Sequence, residues 1–530
     1  LHEDAKKQHS EEEISYEEIG SESLEALLDD GIDYTEGLFY PEFMNVLFSQ
    51  KESIQAEKNK AFLYQPILVC TIDHIMGATE TTRGGKYLLP YLRLLSSDLV
   101  IDEVDDFGVE DLIPLARLVH LAGMLGRKVM ISSATIPPSL SEGLFNAYQK
   151  GFTVFTQFRN LSNPVINAMW VDEFKSIIEP IKLPSEGSLD TSIYQKSHDT
   201  YVKYRVECLL KQLVKQKAKI INCEHLRSEK EDYYNETLQK QYFELIKENI
   251  ETLHMNHHTI DEITGKKVSF GVVRVANIPP CVALTRYLLN ADWSHNVMPR
   301  IMAYHSRQVL LLRSIQEQHL DTVLSRKEAQ GLIPKALQDP IIRAHIDQSD
   351  QENIIFVLVA TPVEEVGRDH DFDWAVIEPS SYRSIIQLSG RVLRHRQIEH
   401  DVIEPNIALM QFNLKGIYGR KVAFNRPGFE SSSKRFQLST KNISELIDHK
   451  NGQFVVNAIP RIQMRDQLNS HNNLADLEHV RIQFYLMNED NQGAKSLNGW
   501  LNGAWFLTGL PQRFYRFRKS APDIQLFAVH

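Results

Sequence analysis

Short apolar runs alternate with polar loops in the first part of the chain. Three runs rich in β-branched residues, ILVC near Ile67, DLVID near Val100 and KVMISS near Val129, have the length of strands. Such runs are typical of parallel strands that are buried on both faces. Between the last two lies LIPLARLVHLAGMLG, in which apolar residues recur at helical spacing up to Gly126. The pattern predicts a strand-helix-strand crossover in a doubly wound sheet.

A second series of apolar runs begins after residue 265. It predicts strands at VSFGVVRVAN near Phe270, IIFVLVAT near Val357, WAVIEP near Ile377 and NIALMQFNL near Leu409. Strands that alternate with helical segments indicate an α/β domain. The sequence therefore predicts a second α/β domain in this part of the chain.

The chain is too long for one hydrophobic core, since its 530 residues have a mass of 61.0 kDa. Long helical patterns around Tyr201 to Ala218 and Glu229 to Leu253 separate the two series of strands. We therefore expect four parts. They are a first α/β domain at 1–160, a helical insert or linker at 161–265, a second α/β domain at 266–415 and a C-terminal accessory domain at 416–530.

Composition narrows the class of protein. Hydrophobic residues make up 42% of the chain, and no run of about twenty apolar residues could span a bilayer. The four cysteines contain no C-x-x-C pair, which argues against a disulfide framework and a zinc ribbon. We expect a cytoplasmic protein with no membrane partner. The net charge of −11 leaves any contact with nucleic acid to local basic surfaces.

The strongest chemical signal is Asp102-Glu103-Val104-Asp105, directly after the predicted strand near Val100. Phosphoryl transfer needs carboxylates at such a strand end. Asp102 would hold the shell of a magnesium ion, and Glu103 would orient and deprotonate the attacking water. An isolated acidic loop would give the same four letters, so the motif is informative only together with others.

Further polar motifs follow later strands. Ser132-Ser133-Ala134-Thr135 ends the strand near Val129, where its hydroxyl groups can hydrogen-bond the carboxylates of the first motif. The segment from Thr361 to Asp369, with Gly367, follows the strand near Val357. Gln387, Arg391 and Arg394 come next, on a predicted helix whose one face would aim both guanidinium groups at a polyphosphate.

The order of these motifs resembles that of superfamily 2 helicases over about residues 65 to 415. The resemblance implies two RecA-like parallel-sheet domains, of which the first lacks its N-terminal part. It implies ATP and Mg²⁺ as cofactors, with Asp102 as the metal ligand. Catalytic residues would be Asp102, Glu103, Gln387, Arg391 and Arg394, and nucleotide-binding residues would be Asp105, Ser133, Thr135, Gly367 and Asp369.

Within that superfamily, the stretches VCTIDHIMGATETTRGGKYLLPYLRLLSSDLVIDEVDDF and ATPVEEVGRDHDFDWAVIEPSSYRSIIQLSGRVLRHR resemble CRISPR-associated type I helicase-nucleases, most closely those of subtype I-F. Membership would imply a prokaryotic cytoplasmic protein that translocates on single-stranded DNA after recruitment by a crRNA-guided surveillance complex. Other partners would be the CRISPR adaptation integrase and phage inhibitor proteins. An HD nuclease domain outside this chain would use another divalent metal.

The same resemblance locates contacts with nucleic acid. In the first domain it points to Thr71, Thr79 and Arg83, and in the second to His305, Arg307 and Thr361. Polar loops that bind nothing would have the same composition, and both interpretations stay open.

One required motif is absent from the sequence. No G-x-x-x-x-G-K-[ST] phosphate loop occurs, because the nearest match at Gly85-Lys86 has Glu80 and Tyr87 in the flanking positions. We therefore expect the chain to start downstream of its phosphate loop and to hydrolyse ATP poorly by itself. Two alternatives remain, which are a superfamily 2 helicase outside CRISPR systems and a binding module that does not turn over nucleotide.

Several histidines lie close to acidic residues or to one another in the sequence and are candidate metal ligands. The dipeptides His198-Asp199 and His370-Asp371 lack further spaced ligands. A denser group, made of His254, His257, His258 and Asp261, fits either a transition-metal site or a solvated polar loop, and the sequence favours the loop.

Overall fold

A computed structural model describes residues 54–80, 87–183, 192–328, 334–365, 367–488, 493, 496–502 and 510–518. The chain divides into two compact units. The first unit contains the residues up to Trp170, Ile177–Ser197 and the residues from Ile482 onward. The second unit contains Val171–Ser176 and His198–Arg481.

The first unit is built around a small parallel sheet and two long helices. Its sheet pairs β1 (Leu99–Ile101) with β2 (Val129–Ile131) in parallel register. The crossover between them is α4 (Leu112–Met124), as the sequence predicted. The other described helices that begin before residue 160 are α1 (Ile54–Tyr64), α2 (Asp73–Met76), α3 (Leu88–Ser96) and α5 (Pro138–Phe158).

Two expectations for this sheet were wrong. Residues 67–70 form no strand, and Ile67 and Val69 are 79% and 80% exposed. The strands are also not buried on both faces, since Val100 is 64% and Met130 is 59% exposed. Apolar, β-branched composition indicated a strand for ILVC, but a strand also requires a backbone partner, and none of the described residues supplies one.

Helices α4 and α5 cross at unusually close range because glycines face each other. A Cβ atom at Gly151 would lie 2.0 Å from the carbonyl oxygen of His120, and one at Gly123 would lie 2.5 Å from the Tyr148 carbonyl oxygen. Only residues without a Cβ permit backbones to approach this closely. The tight crossing therefore fixes α4 against α5.

The second unit contains a sheet of eight strands in the order β12-β5-β11-β10-β7-β9-β8, with β6 paired to β7 at the side. Strands β5, β11, β10, β7, β9 and β8 are parallel, whereas β12 and β6 are antiparallel to their neighbours. Their bounds are β5 (Lys217–Ile221), β6 (Thr259–Ile260), β7 (Lys267–Arg274), β8 (Val297–Tyr304), β9 (Asn353–Ala360), β10 (Trp374–Ile377), β11 (Ile407–Met410) and β12 (Gln453–Val455).

The sequence predicted four of these strands and missed others. Strands β7, β9, β10 and β11 lie where the apolar runs indicated, and their central residues are buried. β8 was missed because its side chains are only partly buried and its sequence contains Pro299 and Arg300. The helical pattern around Tyr201 to Ala218 ends earlier than predicted, since the helix stops at Leu209 and β5 follows.

The elements that remain are mostly helices. Residues 161–265, predicted as a helical insert, also contain a hairpin of β3 (Val165–Val171) and β4 (Ser176–Lys182) besides β5. The helices are α6 (Ser192–Leu209), α7 (Glu236–Asn256), α8 (Ile278–Asn290), α9 (Leu310–Val323), α10 (Pro340–Asp347), α11 (Tyr382–Ser389), α12 (Leu414–Ile417), α13 (Ile443–Leu446), α14 (Ile459–Ile462), α15 (Leu474–Leu486), α16 (Leu497–Leu501) and α17 (Leu510–Phe514).

A large apolar core lies against one face of the second sheet. Helices α7 and α8 pack there through Tyr242, Phe243, Leu284 and Leu288. The fold is therefore mixed α/β with parallel sheets, as the sequence predicted. In the described residues, no helix has the length and apolar composition that crossing a membrane requires.

Candidate nucleotide and nucleic-acid site

The acidic loop of the first unit, residues 102–106, leaves the carboxyl end of β1. Glu103 has a φ of +50°, a left-handed backbone conformation that non-glycine residues seldom adopt. The turn puts Asp102 and Glu103 on the surface, while Asp105 is only 4% exposed. The loop thus separates two exposed carboxylates from a buried one.

The hydroxyl loop, residues 132–135 at the end of β2, binds these carboxylates. Because β1 and β2 are parallel neighbours, both loops leave the same edge of the sheet. Ser132 Oγ donates a short hydrogen bond to Asp102 Oδ1, and Ser133 Oγ donates a short one to Asp105 Oδ1. Thr135 Oγ1 donates to Asp105 Oδ2 at 2.6 Å. The predicted hydrogen bonds between the two motifs are therefore present.

The two aspartates differ in what they can still bind. Asp105 accepts hydroxyl donors on both carboxylate oxygens and is buried. Asp102 is exposed and accepts from Ser132 Oγ and from the Glu103 backbone N–H, both on Oδ1. Mg²⁺ prefers oxygen ligands and usually takes one or two carboxylates, with phosphates and waters completing its shell. Asp102 fits such an ion, and Asp105 fits a structural role.

In the second unit, the β9 loop (residues 361–370) carries the predicted Thr361, Gly367 and Asp369. Thr361 is 5% exposed, and its backbone N–H donates to the Tyr304 carbonyl at 3.1 Å. Gly367 has a φ of +66°, which favours glycine. Asp369 is half-exposed, and its carboxylate binds Arg394 Nε at 2.9 Å and His395 Nε2 at 2.8 Å.

The prediction that Arg391 and Arg394 share one helical face was wrong. Helix α11 ends at Ser389, and the chain then turns, with Leu393 at a φ of +51°. Arg391 is 7% exposed and donates from Nη2 to the Glu365 carbonyl at 2.8 Å. Arg394 is exposed and paired with Asp369. Residues 391–393 bond to Phe372 in a parallel bridge, and this competing interaction ends the helix.

The charge of Asp369 is stabilised by its neighbours. Burial acts to raise the pKa of Asp369, but Lys327, His395 and Arg394 together lower it below the ordinary value. Gln387 is part-buried on α11, one turn before Arg391. Arg391 and Arg394 thus both contact the β9 loop, through the Glu365 carbonyl and the Asp369 carboxylate.

Residues predicted to contact nucleic acid lie in different surroundings. Thr71 is exposed, and its Oγ1 lies 3.0 Å from His74 Nδ1. Thr79 is only 1% exposed and donates its hydroxyl to the Met76 carbonyl, so it does not present that hydroxyl to a ligand. Arg307 is exposed, and burial lowers the pKa of the part-buried His305. Arg83 lies outside the described residues.

Three of the histidines considered as metal ligands, His198, His254 and His370, are buried. His370 is buried between Glu364, at 2.6 Å, and Asp321, at 3.0 Å. His198 is 8% exposed, and burial lowers its pKa to about 4. His254 bonds Ser269 Oγ at 2.7 Å and Asn353 Oδ1 at 3.2 Å inside the second unit. Within the described ranges, no group of three His, Cys, Asp or Glu residues could hold a metal ion.

The sequence did not predict a buried polar cluster around Arg274 in the second unit. Arg274, the last residue of β7, is fully buried and forms an ion pair with Glu365 at 2.6 Å. Its place in the apolar run VSFGVVRVAN predicts only a strand. An arginine inside a run of buried residues is itself a signal, because a buried guanidinium group requires an anionic partner.

Comparison with known proteins indicates which proteins this chain resembles. A family model described as CRISPR-associated nuclease/helicase Cas3, C-terminal, matches residues 267–397. The CRISPR-associated nuclease/helicase Cas3 subtype I-F/YPEST of Pectobacterium atrosepticum is 39% identical over 470 residues, which are 87% of this chain and 41% of that protein. The protein of the same name from Pseudomonas aeruginosa is 37% identical over 468 residues, with the same coverage of 87% and 41%.

Solved structures give a more distant likeness. The crystal structure of T. fusca Cas3-AMPPNP is 15% identical and has a TM-score of 0.42, covering 67% of this chain and 34% of that one. The crystal structure of T. fusca Cas3-ATP is also 15% identical, with a TM-score of 0.43 and coverage of 70% and 36%.

The chain therefore spans about two fifths of the length of its curated relatives, since it covers 41% of each. Its similarity to them extends over 87% of its own residues. Over that part of their length, the chain is similar to CRISPR-associated Cas3 nuclease/helicases of subtype I-F.

Proposed function

We propose that the chain is the larger part of an ATP-driven motor that moves along single-stranded DNA during CRISPR interference. A crRNA-guided surveillance complex would recruit it to invader DNA. The CRISPR adaptation integrase and phage inhibitor proteins would be further partners. An HD nuclease domain elsewhere in the protein, with its own divalent metal, would degrade the displaced strand in the prokaryotic cytoplasm.

The observation that carries this proposal is the pair of loops at the end of β1 and β2. Asp102 and Glu103 are exposed, while hydroxyl groups of the neighbouring loop orient Asp102 and Asp105. Mg²⁺ bound with ATP would neutralise phosphate charge beside Asp102. Glu103 would orient the attacking water and accept its proton. Movement of Ser133 or Thr135 would be transmitted directly to this loop.

The second unit carries polar and cationic side chains that suit a polyphosphate. Arg391, Arg394 and Gln387 would contact the polyphosphate, where guanidinium groups stabilise the charge of the transition state. Arg394 is exposed and held by Asp369 through Nε, so its planar group is oriented before a ligand binds. The folded structure therefore already includes part of the entropic cost of ordering the Arg394 side chain.

A second candidate function follows from one sequence observation. The 530 residues contain no G-x-x-x-x-G-K-[ST] phosphate loop. Without it, the chain would bind DNA or protein partners but would not turn over nucleotide. The same motor outside CRISPR systems is a third candidate, which the subtype I-F similarity disfavours.

The test is ATP hydrolysis, measured with and without single-stranded DNA, by the 530-residue chain and by the longest natural form of the protein. We expect DNA-stimulated turnover only from the longer form. Stimulated turnover by the chain alone would show that it contains an unrecognised phosphate-binding element. The proposal would be overturned if neither form hydrolysed ATP, and the Glu103→Gln variant of the longer form is the inactive control.

A further inference from the structure

Arg274 lies between the β9 loop and the segment that leads into α11. It is the last residue of β7, and its neighbours in register are Ala360 at the end of β9 and Ile377 at the end of β10. The β9 loop follows Ala360, and α11 follows β10 after a short connection. A long side chain at this position can therefore reach both segments.

Every nitrogen of the Arg274 guanidinium group is used. Nε binds Glu365 Oε1 in the β9 loop at 2.6 Å. Nη1 donates to the Glu378 carbonyl at 2.8 Å, and Nη2 donates to Ser380 Oγ at 2.6 Å and Ser384 Oγ at 2.5 Å. The group thus connects the β9 loop, the end of β10 and the first turns of α11.

Glu365 extends this connection to the predicted polyphosphate-binding residue. Its side chain binds Arg274 and also accepts a short hydrogen bond from Ser384 Oγ. Its backbone carbonyl accepts from Arg391 Nη2 at 2.8 Å. One residue therefore has its carboxylate fixed by Arg274 and its carbonyl fixed to Arg391. A shift of Glu365 would move Arg391 as well.

The cluster is closed to water. Arg274 is 0% and Glu365 is 3% exposed, and Ser380 and Ser384 are each 1% exposed. A buried ion pair contributes little net stability compared with apolar residues of similar size, because both charges lose their hydration. The fixed directions of guanidinium hydrogen bonds do specify geometry.

From this arrangement we infer that Arg274 is a positioning residue, which sets the β9 loop relative to α11 and so places Arg391 for contact with the polyphosphate. The inference rests on the proposed function for its consequence in catalysis. The structural part, that Arg274 couples the two segments, holds whether or not ATP is the ligand.

The first experiment tests the coupling without nucleotide. In the double variant Arg274→Met, Glu365→Met, apolar side chains of similar length replace the pair, so the fold is expected to persist. Hydrogen exchange at the amides of Glu364, Ile385 and Gly390 should accelerate by roughly tenfold or more. The control is the double variant Lys441→Met, Glu430→Gln, which removes both charges of a buried ion pair elsewhere in the second unit. Equal exchange at these amides in the double variant and the wild type would overturn the inference.

The second experiment measures ATP turnover in the longest natural form. We expect kcat to fall by about tenfold or more in the double variant, while the KM for ATP changes by less than about threefold, because orientation and not ground-state binding is lost. The control variant Lys441→Met, Glu430→Gln should leave both constants unchanged. Ser384→Ala, which removes one contact of Arg274 and one of Glu365, should give a smaller fall in kcat.

Arg391→Lys separates failure of the inference from failure of the proposed function. If Arg391→Lys lowers kcat but the double variant does not, Arg274 is not a positioning residue. If Arg391→Lys leaves kcat unchanged, the polyphosphate role of Arg391 fails. Faster exchange in the double variant then still supports the coupling, and unchanged exchange overturns it.

Discussion

The two units hold their loop carboxylates in different ways. In the first unit, Asp102 and Asp105 accept hydrogen bonds from neutral hydroxyl groups of Ser132, Ser133 and Thr135. In the second unit, the carboxylates of the corresponding region pair with cations, as Glu365 does with Arg274. A hydroxyl group orients a carboxylate but leaves its negative charge for a metal ion, whereas a guanidinium group neutralises it.

This contrast indicates which carboxylates are available to bind a metal ion or to accept a proton. Asp371 and Asp373 are almost fully buried, and both pair with Arg396 at 2.6 Å. Their negative charges are therefore neutralised within the fold. Asp102 keeps an exposed carboxylate beside the exposed Glu103. A count of acidic residues along the sequence does not make this distinction.

The largest expected effect concerns the hydroxyl-held loop. Glu103→Gln in the longest natural form should lower DNA-stimulated ATP turnover by about 10²- to 10⁴-fold, because a general base is lost. The free energy of unfolding should stay within about 0.5 kcal/mol of the wild-type value, since the side chain is exposed. Steady-state kinetics and urea titration measure both. Retained turnover would remove Glu103 from the reaction.

For a carboxylate that pairs with a cation, the main expected effect is on the free energy of unfolding. Arg396→Met leaves Asp371 buried without its cation and should cost about 3–5 kcal/mol in the free energy of unfolding. Chemical denaturation followed by circular dichroism measures this loss. The exposed Lys211→Met serves as a matched control and should change stability by less than about 0.5 kcal/mol. A loss as small as that of the control would contradict the comparison.

A smaller effect is expected from the link between the two loops of the first unit. Thr135→Val keeps the shape of the side chain but removes the 2.6 Å hydrogen bond to Asp105. The free energy of unfolding should fall by about 1–3 kcal/mol, because a buried carboxylate oxygen loses a donor. Thr135→Ser, which retains the hydroxyl group, should recover most of the loss. If valine and serine behaved alike, packing and not hydrogen bonding would be responsible.

The smallest effect depends on pH. The pKa of Asp369 is lowered in the folded state by its three cationic neighbours, against the effect of burial. A lowered carboxylate pKa stabilises the fold above the unfolded pKa of about 3.9, and this contribution disappears as pH falls through the folded pKa. Asp369→Asn should therefore reduce the difference in unfolding free energy between about pH 6 and pH 3 by less than about 1 kcal/mol, because the pair is half-exposed. Parallel urea titrations at the two pH values measure it.

Much of the second unit could be predicted from the sequence because four of its strands are buried along almost their whole length. The apolar runs of β7, β9, β10 and β11 have no exposed face, so composition alone identified them. In the first unit, the same composition misled at residues 67–70, where no described residue pairs with the backbone. Local composition records a preference, whereas a strand requires a partner.

The sequence by itself determined the order of the motifs, the α/β class and the hydrogen-bonding partners of Asp102 and Asp105. These follow from local spacing, since each motif ends a strand and parallel strands end at one edge. Only the tertiary structure decided that Arg391 lies beyond the end of α11, that Thr79 is buried and that Arg274 joins two loops. Those features depend on contacts between residues far apart in sequence, such as the 91 positions that separate Arg274 from Glu365.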